Sequence, residues 1–312
     1  MNVIISFGSI GKRHALNLLN LEQPVTVVTK YPQEIPGINF TSTLDSIPAE
    51  NVKMALVCSP TGKHCTDVEN LLERGIKNIL VEKPIDKSLK RAKEIERIIS
   101  GDKDACIRVA YDMRFLGVFD FLKKFVASNM KDIRIVNIEV GQYLPTWRQS
   151  DYRQSYSSKR EEGGGVDLDL SHEIDYLLYL FGMPQEWTVS RHKISNLQIN
   201  SPDHFIGTYE YPNFICTVKL DYIRSSPERF LRIYTESSKD IFVDFISKTF
   251  SYRDNESNFS LKFNAEGYFD YQNAYIEEIK EFMEISRKKS AAESRLTTLN
   301  ESINVLRLLN LE

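Results

Sequence analysis

Two side chains in this chain are well suited to moving a proton beside a hydroxyl group: Lys83 in Glu82-Lys83-Pro84, and His172 in the run Gly163–Gly182. Imidazole titrates close to neutrality, so it can give or take a proton at working pH. A lysine that is partly desolvated becomes a usable acid or base. Pro84 keeps Lys83 out of helical backbone geometry, which suits the exposed end of a strand. Asp169 stands three residues before His172, within reach on one helical face. It reaches the substrate or orients His172, or else it bonds backbone near the helix start. The chemistry these groups support is loss or gain of a proton at an oxygen of a bound substrate. The plain alternatives are a solvated loop around Lys83 and an ordinary amphipathic helix around His172.

The elements that must position these groups follow from periodicity. The stretch GGGVDLDLSHEIDYLLYLFG predicts one helix after Gly163–Gly165, ending at Gly182 as a C-terminal cap. At about 100° per residue, Leu170, Ile174, Leu177, Leu178 and Phe181 share one side. Asp169, His172, Asp175, Tyr176 and Tyr179 share the other, which suits a cavity wall. Lys83 falls at the end of the strand Asn78–Val81. Further short apolar runs, Val3–Phe7, Val25–Thr29, Met54–Cys58 and Ile107–Tyr111, alternate with helical stretches. That alternation predicts βαβ units and a parallel sheet. Ligands of such sheets lie beyond the carboxyl ends of the strands. Gly8, Thr29, Ser59 and Lys83 stand at those ends.

The turn after the first strand, Ser6-Phe7-Gly8-Ser9-Ile10-Gly11, resembles the dinucleotide fingerprint with Ser6 in place of its first glycine. Gly8 lets the backbone approach a pyrophosphate, and Gly11 lets helix and strand pack closely. The helix start then offers N–H groups to phosphate. The second strand ends in Thr29-Lys30 with no acid for a ribose diol. A hydroxyl and an ammonium favour NADP over NAD; the alternative for Lys30 is a solvated surface lysine.

With 312 residues, 42% hydrophobic content and a formal charge of −3, the chain has room for two cores and lacks the basic balance of a nucleic-acid binder. No apolar run is long enough to span a membrane, and the N-terminus lacks signal-peptide features. Cys58, Cys65, Cys106 and Cys216 show no CxxC spacing and are expected to be reduced thiols in a cytoplasmic protein. The five histidines show no metal-ligand spacing, so no metal is expected.

FGSIGKRH (Phe7–His14), SPTGKH (Ser59–His64), VEKPI (Val81–Ile85), VAYDMRF (Val109–Phe115) and GGGVDLDLSHEIDY (Gly163–Tyr176) occur in this order. Together they resemble the Gfo/Idh/MocA family of nicotinamide-dependent sugar and cyclitol oxidoreductases, over nearly the whole chain. The resemblance implies an α/β N-terminal Rossmann domain with a parallel sheet. It implies an α+β C-terminal domain with an open, mostly antiparallel sheet that mediates dimers or tetramers. The boundary is expected after Arg114, giving domains 1–114 and 115–312. Strands are expected at Arg134–Tyr143, Glu186–Ile194, His204–Tyr211, Phe214–Ile223, Phe230–Thr235 and Ile241–Phe245, and closing helices at about Tyr271–Lys289 and Leu296–Leu309.

Carried residue by residue, the resemblance implies dinucleotide contacts from Phe7, Gly8, Ser9, Ile10, Gly11, Arg13, Thr29, Lys30, Ser59, Pro60, Thr61, His64, Glu82 and Lys83. It implies proton transfer by Lys83 and His172 with an aspartate one turn earlier. The commoner spacing puts that aspartate four residues before the histidine, where this chain has Leu168; Asp169 is the nearest acid. Arg114, Trp147, Arg148, Tyr152, Tyr156 and His172 are the expected substrate contacts. The aromatic and basic segment Tyr143–Arg160, with Arg153 also in it, suits an anionic or polyhydroxylated substrate, since rings stack on sugars and arginine grips carboxylate or phosphate. WRQSDYRQSYS running into the glycine-led helix is similar to a branch associated with bacterial surface-glycan sugars, including nonulosonic acids and nucleotide-linked sugars. Two alternatives remain: a reductase of a non-sugar ketone or imine, and a non-catalytic dinucleotide-sensing regulator, which would be expected to lack Lys83 or His172.

Overall fold

Short strands rich in Val, Ile and Leu alternate with helices through the first part of the chain. The structure is a computed structural model that describes residues 1–147, 150–288 and 294–311. The order is β1 (Asn2–Ile5), α1 (Ser9–Asn20), β2 (Val25–Val28), β3 (Ile38–Thr41), β4 (Met54–Val57), α2 (His64–Glu73), β5 (Asn78–Glu82), α3 (Leu89–Ile98) and β6 (Cys106–Ala110). The second part holds α4 (Val118–Asn129), β7 (Ile133–Tyr143), α5 (Val166–Asp169), α6 (His172–Phe181), β8 (Glu186–His192), β9 (His204–Glu210) and β10 (Ile215–Asp221). It continues with β11 (Ile223–Thr235), β12 (Lys239–Asp244), β13 (Thr249–Asp254) and β14 (Phe259–Asn264). The chain closes with α7 (Tyr271–Lys288), β15 (Thr297–Thr298) and α8 (Leu299–Leu308).

Two compact units result. The first comprises residues 1–115, 272–307 and 311–312, and the second residues 116–271 and 308–310. In the first, the sheet order is β15-β6-β5-β4-β1-β2-β3. All its pairings are parallel except β15 against β6. Strand order reverses between β1 and β4, which opens a crevice at their carboxyl ends. β4 is buried at every residue, as a central strand covered on both faces must be. In the second unit the order is β14-β13-β12-β11-β7-β10-β9-β8, antiparallel except for β10 with β7. Its buried face carries Val136, Ile138 and Val140 of β7 and Leu231 and Ile233 of β11. The fold is thus a Rossmann unit plus an α+β unit with a mostly antiparallel sheet.

Three features differ from the sequence expectation. Residues 272–307 pack with the first unit, although the expected second domain ran from 115 to 312; β15 pairs with β6 only through the folded sheet, which no local pattern encodes. β3, β13 and β14 were not anticipated, because they are short and carry polar residues among their apolar ones. α7 begins at Tyr271 as expected, with Lys289 outside the described residues, whereas α8 begins at Leu299 instead of Leu296 and ends at Leu308 instead of Leu309. Among the described residues no helix is long and apolar enough to cross a membrane. All four cysteines are free thiols.

Candidate active site

The turn after β1 has the geometry of the fingerprint despite its missing glycine. Ser6 adopts φ 77°, the left-handed region that glycine ordinarily serves. Its N–H donates to the Val28 carbonyl at 2.9 Å, so pairing with β2 holds it there. A Cβ on Gly11 would sit 2.4 Å from the Ser6 carbonyl oxygen and 3.4 Å from the Cys58 Cβ. Only glycine lets α1 close onto this turn. Gly8 is the N-cap of α1, and a Cβ there would meet nothing within 4 Å. No described side chain caps α1, and no acid lies in its first turn. Uncapped N–H groups under open space, with the positive end of a helix dipole behind them, fit a pyrophosphate. The strain at Ser6 gives a direct expectation. Ser6→Gly should stabilise the first unit by about 1 kcal/mol, read as a raised denaturant midpoint; an unchanged or lowered midpoint would refute the strain.

Around this turn the remaining strand ends contribute unequally. Thr29 follows β2, and its hydroxyl accepts the Tyr31 N–H at 3.2 Å; Lys30 is exposed. Ser59 follows β4 and donates to Asp67 at 2.6 Å. Burial pushes the Asp67 carboxyl up, against the pull of Ser59, His64 and Lys63. Pro60 and Thr61 lie beside it in the turn that leads into α2. Arg13 is exposed and lies over the Tyr275 ring at 4.7 Å. Phe7 packs edge-on against Phe40 at 5.1 Å. Beside the ends of β1 and β2 is a cavity of about 380 Å³ lined by Ile5, Val28, Leu44, Asp67, Asn70 and Arg74, among others. Its lining mixes apolar Ile5, Val28 and Leu44 with polar Asp67, Asn70 and Arg74. Local sequence gives no sign of it, because its walls come from four separate segments.

Glu82 closes β5, and Lys83, which follows it, is half-buried. Glu82 bonds the buried His14 ring, with Oε1 2.6 Å from Nε2. Its Oε2 accepts the Lys83 N–H at 3.2 Å. His64 is placed differently from the expectation of a dinucleotide contact. It is buried, with Nδ1 2.8 Å from the Pro84 carbonyl oxygen and Nε2 2.7 Å from that of Ser59. Both ring nitrogens face the protein's own backbone, so His64 ties two loops together.

In the second unit the predicted single helix is two. α5 is a four-residue turn, Leu170 leaves helical geometry at φ −102°, ψ 34°, and α6 starts at His172 with Ser171 as its N-cap. Helical phase does not carry across that break, so the expected shared face of Asp169 and His172 does not follow from a wheel. Nor is the polar side of α6 a cavity wall. Tyr176 is fully buried between Phe119 and Phe245, with ring centroids 5.4 and 6.1 Å away, and Asp175 is buried too. The aromatic core of this unit outweighs the polarity of a phenol. His172 is half-buried at the start of α6, with its Nδ1 shielded from solvent. Asp169 is buried and accepts the Tyr222 hydroxyl at 2.6 Å. Burial and then Asp169 push the Tyr222 phenol well above its ordinary range, so it stays a donor. Trp147 stands edge-on to Tyr222 at 5.1 Å.

Ion pairs that sequence reasoning missed brace these short helices. Asp167 is fully buried between Arg160 at 3.0 Å and Arg191 at 2.6 Å. Glu173, next to His172, is fully buried and receives Arg229 of β11 at 2.8 and 3.1 Å. These partners lie up to 56 residues apart. No spacing rule connects them.

The expected substrate residues divide. Tyr152 and Tyr156 are half-buried in successive turns before Gly163, and the Tyr152 hydroxyl accepts the Gln198 N–H at 3.2 Å. Arg153 forks onto Asp151 of its own turn. Arg148 lies outside the described residues. Arg114, expected as a substrate contact, is 1% exposed and pairs with Glu301 at 3.0 Å within the first unit. That pair anchors the start of α8. Burial would raise the Glu301 carboxyl, but Arg114 and the Thr298 hydroxyl and N–H outweigh it and hold the group below its usual range. A depressed carboxyl contributes stability that is present above the unfolded value, about 4.3, and lost as pH falls through the folded one. Glu301→Gln should therefore lower Tm at neutral pH, with the gap to the native protein closing below about pH 4. A gap that is constant between neutral and acid pH would refute the pairing as its source.

Comparison with known proteins agrees with this architecture. Residues 2–110 match the model of the Gfo/Idh/MocA oxidoreductase family, NAD-binding Rossmann fold, and residues 129–234 match that family's C-terminal alpha/beta domain. Scyllo-inositol 2-dehydrogenase (NADP(+)) IolW of Bacillus subtilis (strain 168) is 24% identical over 190 residues, 59% of this chain and 51% of that protein. The uncharacterized oxidoreductase YhhX of Escherichia coli (strain K12) is 26% identical over 191 residues, 60% of this chain and 52% of that protein. The chain thus matches about half the length of these curated relatives. A levoglucosan dehydrogenase, solved in complex with NADH and levoglucosan, superposes with a TM-score of 0.83 at 15% identity, over 99% of this chain and 95% of that one. That likeness is one of fold.

Proposed function

The chain belongs to the Gfo/Idh/MocA oxidoreductase family, and from that premise we propose that it is an NAD(P)-dependent dehydrogenase acting on a carbinol carbon of a sugar or polyol derivative. The observation that carries this reading is the Ser6–Gly11 turn, which has the left-handed residue, the open N-cap and the glycine-only contact that a pyrophosphate turn needs. A bound nicotinamide supplies the hydride acceptor or donor. The chain's own residues do the rest. Gly8 to Gly11 hold phosphate, and Thr29 and Lys30 meet the adenosine ribose, an arrangement that favours NADP. Lys83 polarises the substrate oxygen and, with His172, takes or returns its proton. Asp169 assists as a fixed carboxylate near the start of α6.

The relatives named for scyllo-inositol and levoglucosan support a polyhydroxylated substrate. The segment Tyr143–Arg160 favours an anionic or nucleotide-linked sugar, the kind found in surface glycans. The deciding experiment is a screen of cyclitols, free hexoses, sugar acids and nucleotide-linked sugars with NADP+ and NAD+, reading reduced cofactor at 340 nm. Turnover with any carbinol substrate supports the dehydrogenase. Turnover on neutral cyclitols alone removes the anionic preference, and a clear preference for NAD+ removes the role of Lys30. Homo-oligomer formation through the second unit's sheet is proposed with it, supported by the exposed Ile135 and Ile215 on adjacent strands; a monomeric mass by light scattering would remove it.

A further inference from the structure

The Glu82-Lys83-Pro84 loop is gripped from both sides by buried histidines carried on α1 and α2, the helices that follow β1 and β4. His14 projects from α1, whose N-terminus is the phosphate turn, and is 1% exposed. Its Nε2 bonds Glu82 Oε1 at 2.6 Å, and the other oxygen of that carboxylate accepts the Lys83 N–H at 3.2 Å. His64, also 1% exposed, opens α2. It spans from the Ser59 carbonyl, in the loop after β4, to the Pro84 carbonyl, at 2.7 and 2.8 Å. Lys83 is the residue between the two grips. β5, which ends at Glu82 just before Lys83, is separated from β1 by β4, so sheet pairing alone does not link the phosphate turn to the lysine.

We propose that His14 and His64 form a two-imidazole clamp in which each is a positioning residue for Lys83, coupling the dinucleotide-binding loops mechanically to the lysine. The His14–Glu82 bond is charge-assisted, short and buried, and the His64–Pro84 contact is buried too, the conditions under which a hydrogen bond holds geometry rather than exchanging with solvent. Tyr275 of α7 packs edge-on to His14 at 5.8 Å and limits the ring's freedom. The consequence is reciprocal: a dinucleotide that settles α1 also settles Glu82 and Lys83, and a disturbed clamp weakens dinucleotide binding.

The inference rests on the assignment of Lys83 under the proposed function, and its test does not use turnover. Lysines of the full-length protein are reductively methylated with 13C-formaldehyde, and the Lys83 signal is assigned by its loss in Lys83→Arg. NADPH affinity is measured in parallel by fluorescence titration. His14→Leu should shift the Lys83 signal and weaken NADPH binding by about tenfold. His14→Gln, whose amide nitrogen can occupy the Nε2 position, should bring both readouts back toward native values. His64→Leu should shift the same Lys83 signal. If a leucine variant does not fold, Glu82→Gln, which keeps size but removes the charge, should give the same displaced signal. A Lys83 signal at its native position in the folded leucine variants overturns the proposal. So does a glutamine variant that behaves like leucine, because the ring would then act by packing alone. If Lys83→Ala turns over normally, the assignment of Lys83 fails, while the clamp still stands or falls on the signal.

Discussion

Lys83→Ala and His172→Ala should each lower turnover on the best substrate of the screen by about 10²–10⁴-fold, the range that a positioned acid or base contributes. Dinucleotide binding should remain largely intact in both, because the phosphate turn from Ser6 to Gly11 is built without either side chain. The two variants should also differ in kind. Lys83 sits in a braced loop beside Glu82, so its loss removes a charge from a rigid frame. His172 is half-buried at the start of a short helix, and its loss removes an imidazole from that helix's first turn. A kcat within about threefold of native in either variant would take that residue out of the mechanism, since such a change is well below what loss of a positioned acid or base produces. A collapse of NADPH binding in His172→Ala would argue for a folding defect.

Arg229→Met should destabilise the second unit by about 3–5 kcal/mol, the effect of stripping one partner from a buried pair. Glu173 is wholly enclosed, and both its oxygens are bonded by Arg229, which is itself only 12% exposed along its side chain. Without the guanidinium the carboxylate has neither water nor a countercharge. The double variant Glu173→Leu with Arg229→Met should recover most of the loss, because removing both charges removes the uncompensated one. Denaturant unfolding of the three proteins measures this directly. A single variant within about 1 kcal/mol of native, the scale of exposed pairs, would mean that the pair is effectively solvated. Because Glu173 adjoins His172, Arg229→Met is also expected to lower turnover, whereas the double variant should restore stability before activity.

The sequence alone carried the order of elements in the Rossmann unit, since alternation of apolar runs with helical segments is a local property. It also marked Gly8, Gly11 and Glu82-Lys83-Pro84, because a glycine requirement and a strand-end charge are written in adjacent residues. The left-handed Ser6 was not legible: a serine in a glycine position looks like a degraded turn until pairing with β2 holds it at φ 77°. The continuous helix read from Gly163 to Gly182 failed at Leu170 and Ser171, where buried ion pairs from Arg160, Arg191 and Arg229 fix the flanking turns independently of helical period. Tyr176 and Arg114, polar by type, went into cores for the same reason: their partners lie far along the chain. The histidines show the division most clearly. His14 and His64 were present in their motifs, but their roles depended on bonds across 68 and 20 residues to one loop. Local sequence determined which residues could do chemistry, and tertiary structure decided which polar groups are consumed by the fold and which are left for a ligand, because desolvation and pairing are properties of the folded neighbourhood.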